Sequence, residues 1–213
     1  MEARQIDVQR ELDGVRAELE KLRASRLRLV LAADADRRAI ERELHDGVHQ
    51  QLVALAVSLQ LAAQTEGGDP ARLAEMARDV QDALEEAARL AQRIHPATLE
   101  AGDLAALLRS AATGAGVPAV VDVSVGAGYP PEVVMTIHLC WLDALVRAGG
   151  ASRAAIEVRD RVDALTFEIT VPEIRPEVGV DRLRDRVDAL GGRLTVASHD
   201  GETIVAGSLP LAR

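Results

Sequence analysis

Aromatic residues are almost absent from this chain: Trp141, Tyr129 and Phe167 stand alone among 213 residues. Any core must be built from small and branched aliphatics, which suits helix bundles. Lysine occurs once, at Lys21, and arginine supplies the remaining fixed positive charge. With a formal net charge of -9 there is no basic face of the kind a nucleic-acid binder needs. The single Cys140 excludes an internal disulfide framework. Apolar runs fall far short of the about 20 residues that a membrane span requires. The N-terminus is charged from Glu2 onward without a leader-like apolar stretch. The expectation is a soluble, cytoplasmic protein that engages neither nucleic acid nor membrane.

What is present begins with a heptad pattern. Val8, Leu12, Val15, Leu19, Leu22 and Leu29 recur at alternating spacings of four and three, Arg26 fills one seam position, and the residues between are mostly charged. Such a stripe suits a self-associating coiled coil, or a single amphipathic helix lying on its own domain. Little else nearby could cover the seam, which favours the coil. Periodicity continues through Ile40, Leu44, Val48, Leu52, Leu55 and Leu59, predicting a long helix to about Ala63 with a break near Ala32 to Asp36.

The segment TEGGDP (65–70) ends that helix: Gly67 and Gly68 accept positive φ, Asp69 can cap the next helix and Pro70 fits its first turn. The second helix carries Leu73, Met76, Val80, Leu84, Ala87, Leu90, Ala91 and Ile94 and stops at His95-Pro96. So short a connection makes the two helices antiparallel. Two helices cannot close a core alone, so the hairpin is expected to pair with a second copy as a four-helix bundle, giving a homodimer.

Beyond Pro96 the pattern changes. Helices are expected over 103–116, 130–148 and 180–192, strands over 118–125, 153–160 and 164–171, and a last hairpin over 193–211 around a His-Asp-Gly turn. The order α-β-α-β-β-α-β-β indicates an α/β sandwich with helices on one face of a mixed sheet. The expected organisation is a coil over 1–35, a helical hairpin over 36–97 and an α/β domain over 98–213.

The stretch RELHDGVHQQL (42–52) places two histidines four apart on a helix, with an acid directly after the first. Three readings stand for His45: phosphoryl acceptor, zinc ligand and solvated structural residue. His45-Asp46-x-x-His49 has the spacing of a zinc helix, but Asp46 is one carbon shorter than the usual glutamate, and only His95 and Glu41 are nearby as further ligands. The apolar seam through Leu44, Val48 and Leu52 leaves His45 to one side. A neutral imidazole is a good nucleophile near pH 7, and the adjacent Asp46 can orient the ring and share the proton on its other nitrogen. Phosphoryl acceptance is the favoured reading.

RRAIERELHDGVHQQLVALAVSLQ (37–60) resembles the phosphoacceptor helix of the histidine kinases whose motif reads E-L-H-D-x-x-x-Q. RIHPATLEAGDLAALLRSAATGAGVPAVVDV (93–123) resembles the link into that family's GHKL-type ATP-binding domain, and DRLRDRVDALGGRLTVAS (181–198) the helix-turn-strand near its end. The resemblance implies that His45 accepts a phosphoryl group and that Asp46 assists it. It also implies that Gln50 positions water against a receiver's aspartyl phosphate and that Arg42, one turn earlier, supports the phosphoryl group.

The same resemblance exposes what the second domain lacks. The family holds Mg²⁺ with an asparagine in an E-A-L-x-N-A stretch, and this chain has no asparagine. DALVRA (143–148) places Asp143 and Arg147 where glutamate and asparagine would stand, and a guanidinium cannot coordinate magnesium. Where a D-x-G-x-G turn would meet adenine, the sequence reads PEIRPEVG (172–179), and Gly179 alone remains of the second glycine turn. The domain therefore reads as degenerate, with no ATP binding and no autophosphorylation from its own nucleotide. The expected function is histidine phosphotransfer between His45 and receiver aspartates of response regulators, with Mg²⁺ on the receiver side and a separate histidine kinase as a possible donor. The alternatives are a receiver phosphatase, a non-catalytic pseudokinase partner of an intact kinase, and a conventional active kinase.

Overall fold

The computed structural model describes residues 2–63, 69–94, 96, 103–126, 128–149, 153–172 and 180–211. The chain divides into two compact units, Asp34–Thr98 on the one hand and Met1–Ala33 with Leu99–Arg213 on the other.

Helix α1 (Glu2–Glu43) is continuous, so the break expected near Ala32 to Asp36 does not occur. Alanine favours the helix across that acidic stretch. Asp34 is also held inside it: Arg37 Nη1 donates to Asp34 Oδ1 at 3.1 Å, and Arg38 Nε donates to the Asp34 carbonyl at 3.4 Å. The interruption falls later, at a π-helical turn over Leu44–His49, after which α2 (Gln50–Ala63) resumes α geometry.

The expected glycine stop at Gly67 and Gly68 lies outside the described residues. Helix α3 (Pro70–Ile94) starts as its sequence suggests. The Asp69 side chain accepts from the Ala71 amide at 3.1 Å, and the Asp69 carbonyl accepts from the Leu73 amide at 3.1 Å. Helix α3 packs against α2 and the π turn. Along its length Leu73, Ala77, Val80 and Ala87 are half-buried, and Leu84 and Ala91 are buried.

The second unit contains α4 (Leu104–Ala115), β1 (Ala119–Ser124), α5 (Pro131–Ala148), β2 (Ala154–Arg161), β3 (Ala164–Pro172), α6 (Val180–Ala189), β4 (Arg193–His199) and β5 (Glu202–Pro210). This is the element order expected from the sequence: a helical N-terminal region followed by an α/β sheet domain. The sheet order is β1-β2-β3-β5-β4, with β1 parallel to β2 and the other pairs antiparallel.

Alternate residues of β2, β3 and β5 are buried, which is the period-2 signature of a sheet covered on one face. Asp103 caps α4 by accepting from the Ala106 amide at 2.9 Å, and Gly116, at φ 67°, closes its other end. The Trp141 indole nitrogen donates to the Leu108 carbonyl at 2.9 Å, tying α5 to α4 inside the core. Phe167 packs over its cross-strand partner Gly207, where a Cβ would collide with the ring. His138 is buried in α5.

Candidate functional site

The motif helix changes its winding at the motif itself. Leu44–His49 is bonded in the i→i+5 pattern of a π-helix, and it carries both His45 and His49. Burial follows that winding. The covered stripe runs Leu44, His49, Leu52, Ala56 and Leu59, so one step of five residues spans the π turn before the usual threes and fours resume.

Two consequences correct the sequence reading. Val48, expected on the apolar seam, is 42% exposed, while His49 is half-buried, on the stripe that packs toward α3. The signal was present in the spacing: Ile40, Leu44, Val48 and Leu52 are three successive fours. On an α-helix of 3.6 residues per turn that string drifts by about 120°. The structure does not hold its seam on that string: Ile40 and Val48 are exposed, and the covered stripe passes from Leu44 to His49.

Asp46 and Gln50 are both exposed on this turn and on the first residue after it. The His45 backbone belongs to the π turn, and its side chain lies outside the described residues. Arg42 is exposed one turn earlier, and its Nε donates to the Arg38 carbonyl at 3.2 Å. In a π turn, residues four and five apart flank each other as residues three and four apart do in an α-helix. Gln50 thereby becomes the next-turn neighbour of position 45 as well as of Asp46. Below Gln50 on the same face, at helical spacing, stand Val53, Val57 and Leu61, all exposed.

At the other position implied by the sequence, Arg147 closes on Asp143. Its Nε and Nη2 donate to the two carboxylate oxygens at 2.6 and 3.0 Å, a bidentate pair one helical turn apart on α5. Asp143 and Arg147 line a cavity of about 20 Å³ between α5, α6, β4 and β5, together with Cys140, Leu183 and Val205. That volume is of the order of one water molecule. Burial, with the Asp143 charge adding to it, pushes the Cys140 thiol up to about 12, so Cys140 is an inert thiol here. Arg186 on α6 donates from Nε to Thr136 Oγ1 at 2.8 Å, which fastens α6 to α5. The segment expected to replace the glycine turns, at 173–179, lies outside the described residues.

With this geometry in place, residues 36–99 match the histidine kinase family model HisKA_3. Over that segment the chain is similar to the histidine kinase family. The family match covers the helical hairpin and its motif and stops before the sheet domain.

Several solved histidine kinases are similar over longer spans. The blue-light activated histidine kinase EL346 of Erythrobacter litoralis is 16% identical, with a TM-score of 0.46, over 82% of this chain and 60% of that one. The histidine kinase AdeS of Acinetobacter baumannii is 10% identical, with a TM-score of 0.41, over 77% of this chain and 97% of that one. The catalytic domain of histidine kinase ThkA is 11% identical, with a TM-score of 0.41, over 51% of this chain and 88% of that one. Among the described residues, no helix is long and apolar enough to cross a membrane.

Proposed function

We propose that this protein is a dimeric histidine phosphotransfer protein whose His45 is loaded by an aspartyl phosphate or a separate kinase. In this reading it does not draw on nucleotide of its own. The observation that carries the reading is the pairing of an exposed Asp46 and Gln50, within an E-L-H-D-x-x-x-Q motif, with an Asp143–Arg147 ion pair at the positions implied for magnesium-nucleotide binding. A guanidinium bound to a carboxylate offers no ligand to magnesium, and a cavity of about 20 Å³ is far below the space a nucleotide base needs. Both features support a reading in which this chain does not use nucleotide of its own.

In the transfer step, an imidazole nitrogen of His45 attacks the phosphorus of the receiver's aspartyl phosphate. The N–P bond forms as the P–O bond to the aspartyl carboxylate breaks, and the carboxylate leaves as an anion. The proton on the other ring nitrogen is held by or passed to Asp46. Return transfer to a second receiver reverses these bonds, with Mg²⁺ held on the receiver side. The exposed Val53, Val57 and Leu61 stripe provides an apolar docking face next to Gln50.

A second activity fits the same face. With Gln50 holding water in line, water attacks the phosphorus, the P–O bond to the receiver aspartate breaks, and inorganic phosphate leaves. The exposure of Gln50 beside Asp46 favours this activity alongside transfer.

The homodimer belongs to the same proposal. Leu12, Val15, Leu19, Leu22 and Leu29 are exposed along α1, and a second copy covers them in the coil. The test is to mix the protein with a receiver carrying radiolabelled aspartyl phosphate. Label moves to the wild type and does not move to His45→Ala; equal behaviour of the two would refute phosphotransfer. Gln50→Ala is expected to stop net release of phosphate while sparing label capture.

A further inference from the structure

The face of the sheet turned away from the helices carries a hollow of about 370 Å³ over β2, β3, β5 and β4. Strand register sets its floor and its rim. Thr166 stands opposite Ser208, and Glu168 opposite Ala206, so the short side chains of Thr166, Ser208 and Ala206 lie in the middle of this face. Arg159 and Arg193 end the row that runs through Thr166 and Ser208, three strand spacings of about 4.8 Å apart. Arg161 follows two residues along β2, on the same face.

The rim charges are not neutralised evenly. Arg159 is engaged by two acids: its Nη2 donates to the Asp122 carboxylate, and its Nε lies 3.0 Å from Glu157 Oε1. Glu168, directly across from Glu157, is left without that arginine. A face that needs only to be wetted gains nothing from setting two glutamates opposite each other, where like charges repel. Among the described residues Glu168, Arg161 and Arg193 make no ion pair, and all three are exposed around the same hollow. Two open positive charges and one open negative charge are the complement of a ligand with two anionic groups and one cationic group.

We infer that this hollow binds a small acidic amino acid, its two carboxylates toward Arg161 and Arg193 and its ammonium toward Glu168. The volume falls in the range of small-molecule sites. Arginine suits carboxylates because its planar fork donates two parallel hydrogen bonds to them. The Thr166 hydroxyl donates to the Arg159 carbonyl at 3.3 Å, so it meets the ligand as an acceptor, while the Ser208 hydroxyl can turn to donate to a carboxylate. The site belongs to the sheet domain and does not rest on phosphotransfer by His45.

Calorimetric titration of the full-length protein with L-glutamate and with L-aspartate, at constant ionic strength, tests it. At least one of the two is expected to saturate with a Kd at or below about 1 mM. Arg193→Gln is expected to weaken that binding at least about tenfold, through loss of charge-assisted hydrogen bonds. Arg109→Gln, which removes the same charge from an exposed position on α4 away from the hollow, is expected to stay within about twofold of wild type. Glutarate, which keeps two carboxylates but lacks the ammonium, is expected to bind the wild type more weakly than L-glutamate and to bind Glu168→Gln as well as L-glutamate does. No saturable binding of either amino acid, or equal losses in Arg193→Gln and Arg109→Gln, would overturn the site. Glutarate binding the wild type as tightly as L-glutamate would overturn the assignment of an amino acid to it.

Discussion

The sheet domain and the helical region bury their apolar residues to different degrees. In the sheet domain Leu108, Ile137, Trp141, Val158, Leu165, Ile169 and Leu209 are fully buried under helices of the same chain. In the helical region Leu59, Leu84 and Ala91 are the buried apolar residues among those described, while Leu12, Leu19, Leu29, Ile40, Leu55 and Leu61 are exposed, Leu29 to 69%. The lesson is one of completeness. The sheet domain closes a core of its own, whereas the helical region keeps apolar residues exposed on several faces, which is the feature the proposed second copy would cover.

The contrast predicts where substitutions act. Trp141→Ala should have the largest effect, because it empties the centre of a core with few large side chains and strands the Leu108 carbonyl; about 3–5 kcal/mol is expected, read by denaturant unfolding. Gly207→Ala should follow at about 1–3 kcal/mol, since the new Cβ meets the Phe167 ring. Phe167→Leu on that background should recover part of the loss, which would show that the clash is the cause.

Leu19→Glu with Leu22→Glu should leave unfolding of the sheet domain unchanged while reducing the sedimenting mass from two chains to one. A fall in sheet-domain stability in that variant would break the proposed independence.

The smallest effect concerns Asp122. Its carboxyl is held below the usual 3.8 by the Arg159 hydrogen bond, so this pair's contribution is present above that pH and is lost as pH falls through the lowered value. Asp122→Asn should therefore lower stability slightly at neutral pH, where the pair contributes, and flatten the acid limb, so that the variant and the wild type converge at low pH.

Much of the architecture was legible because it depends on local period and punctuation. The prolines before α5, Asp103 before α4, the period-2 runs of β2 and β3 and the His-Asp-Gly turn between β4 and β5 each specify an element on their own. The winding at the motif was less legible. A helix wheel with fixed pitch puts Val48 in and His49 out, and only a tertiary partner, α3, selects the five-residue step. The break expected at 32–36 failed for a related reason, because an acidic residue inside a helix is tolerated when an arginine one turn on pairs with it, as Arg37 pairs with the Asp34 carboxylate. The missing asparagine was legible from residue identity, since no rearrangement supplies one to a chain without it, whereas the bidentate Asp143–Arg147 pair appears only in the structure.

The central claim is that His45 is loaded by another protein and not by nucleotide held on this chain. Calorimetric titration of the full-length protein with ATP and excess Mg²⁺ tests it most directly. The account predicts no saturable heat up to millimolar nucleotide, whereas saturable binding with micromolar affinity would contradict it and restore the reading of an active kinase.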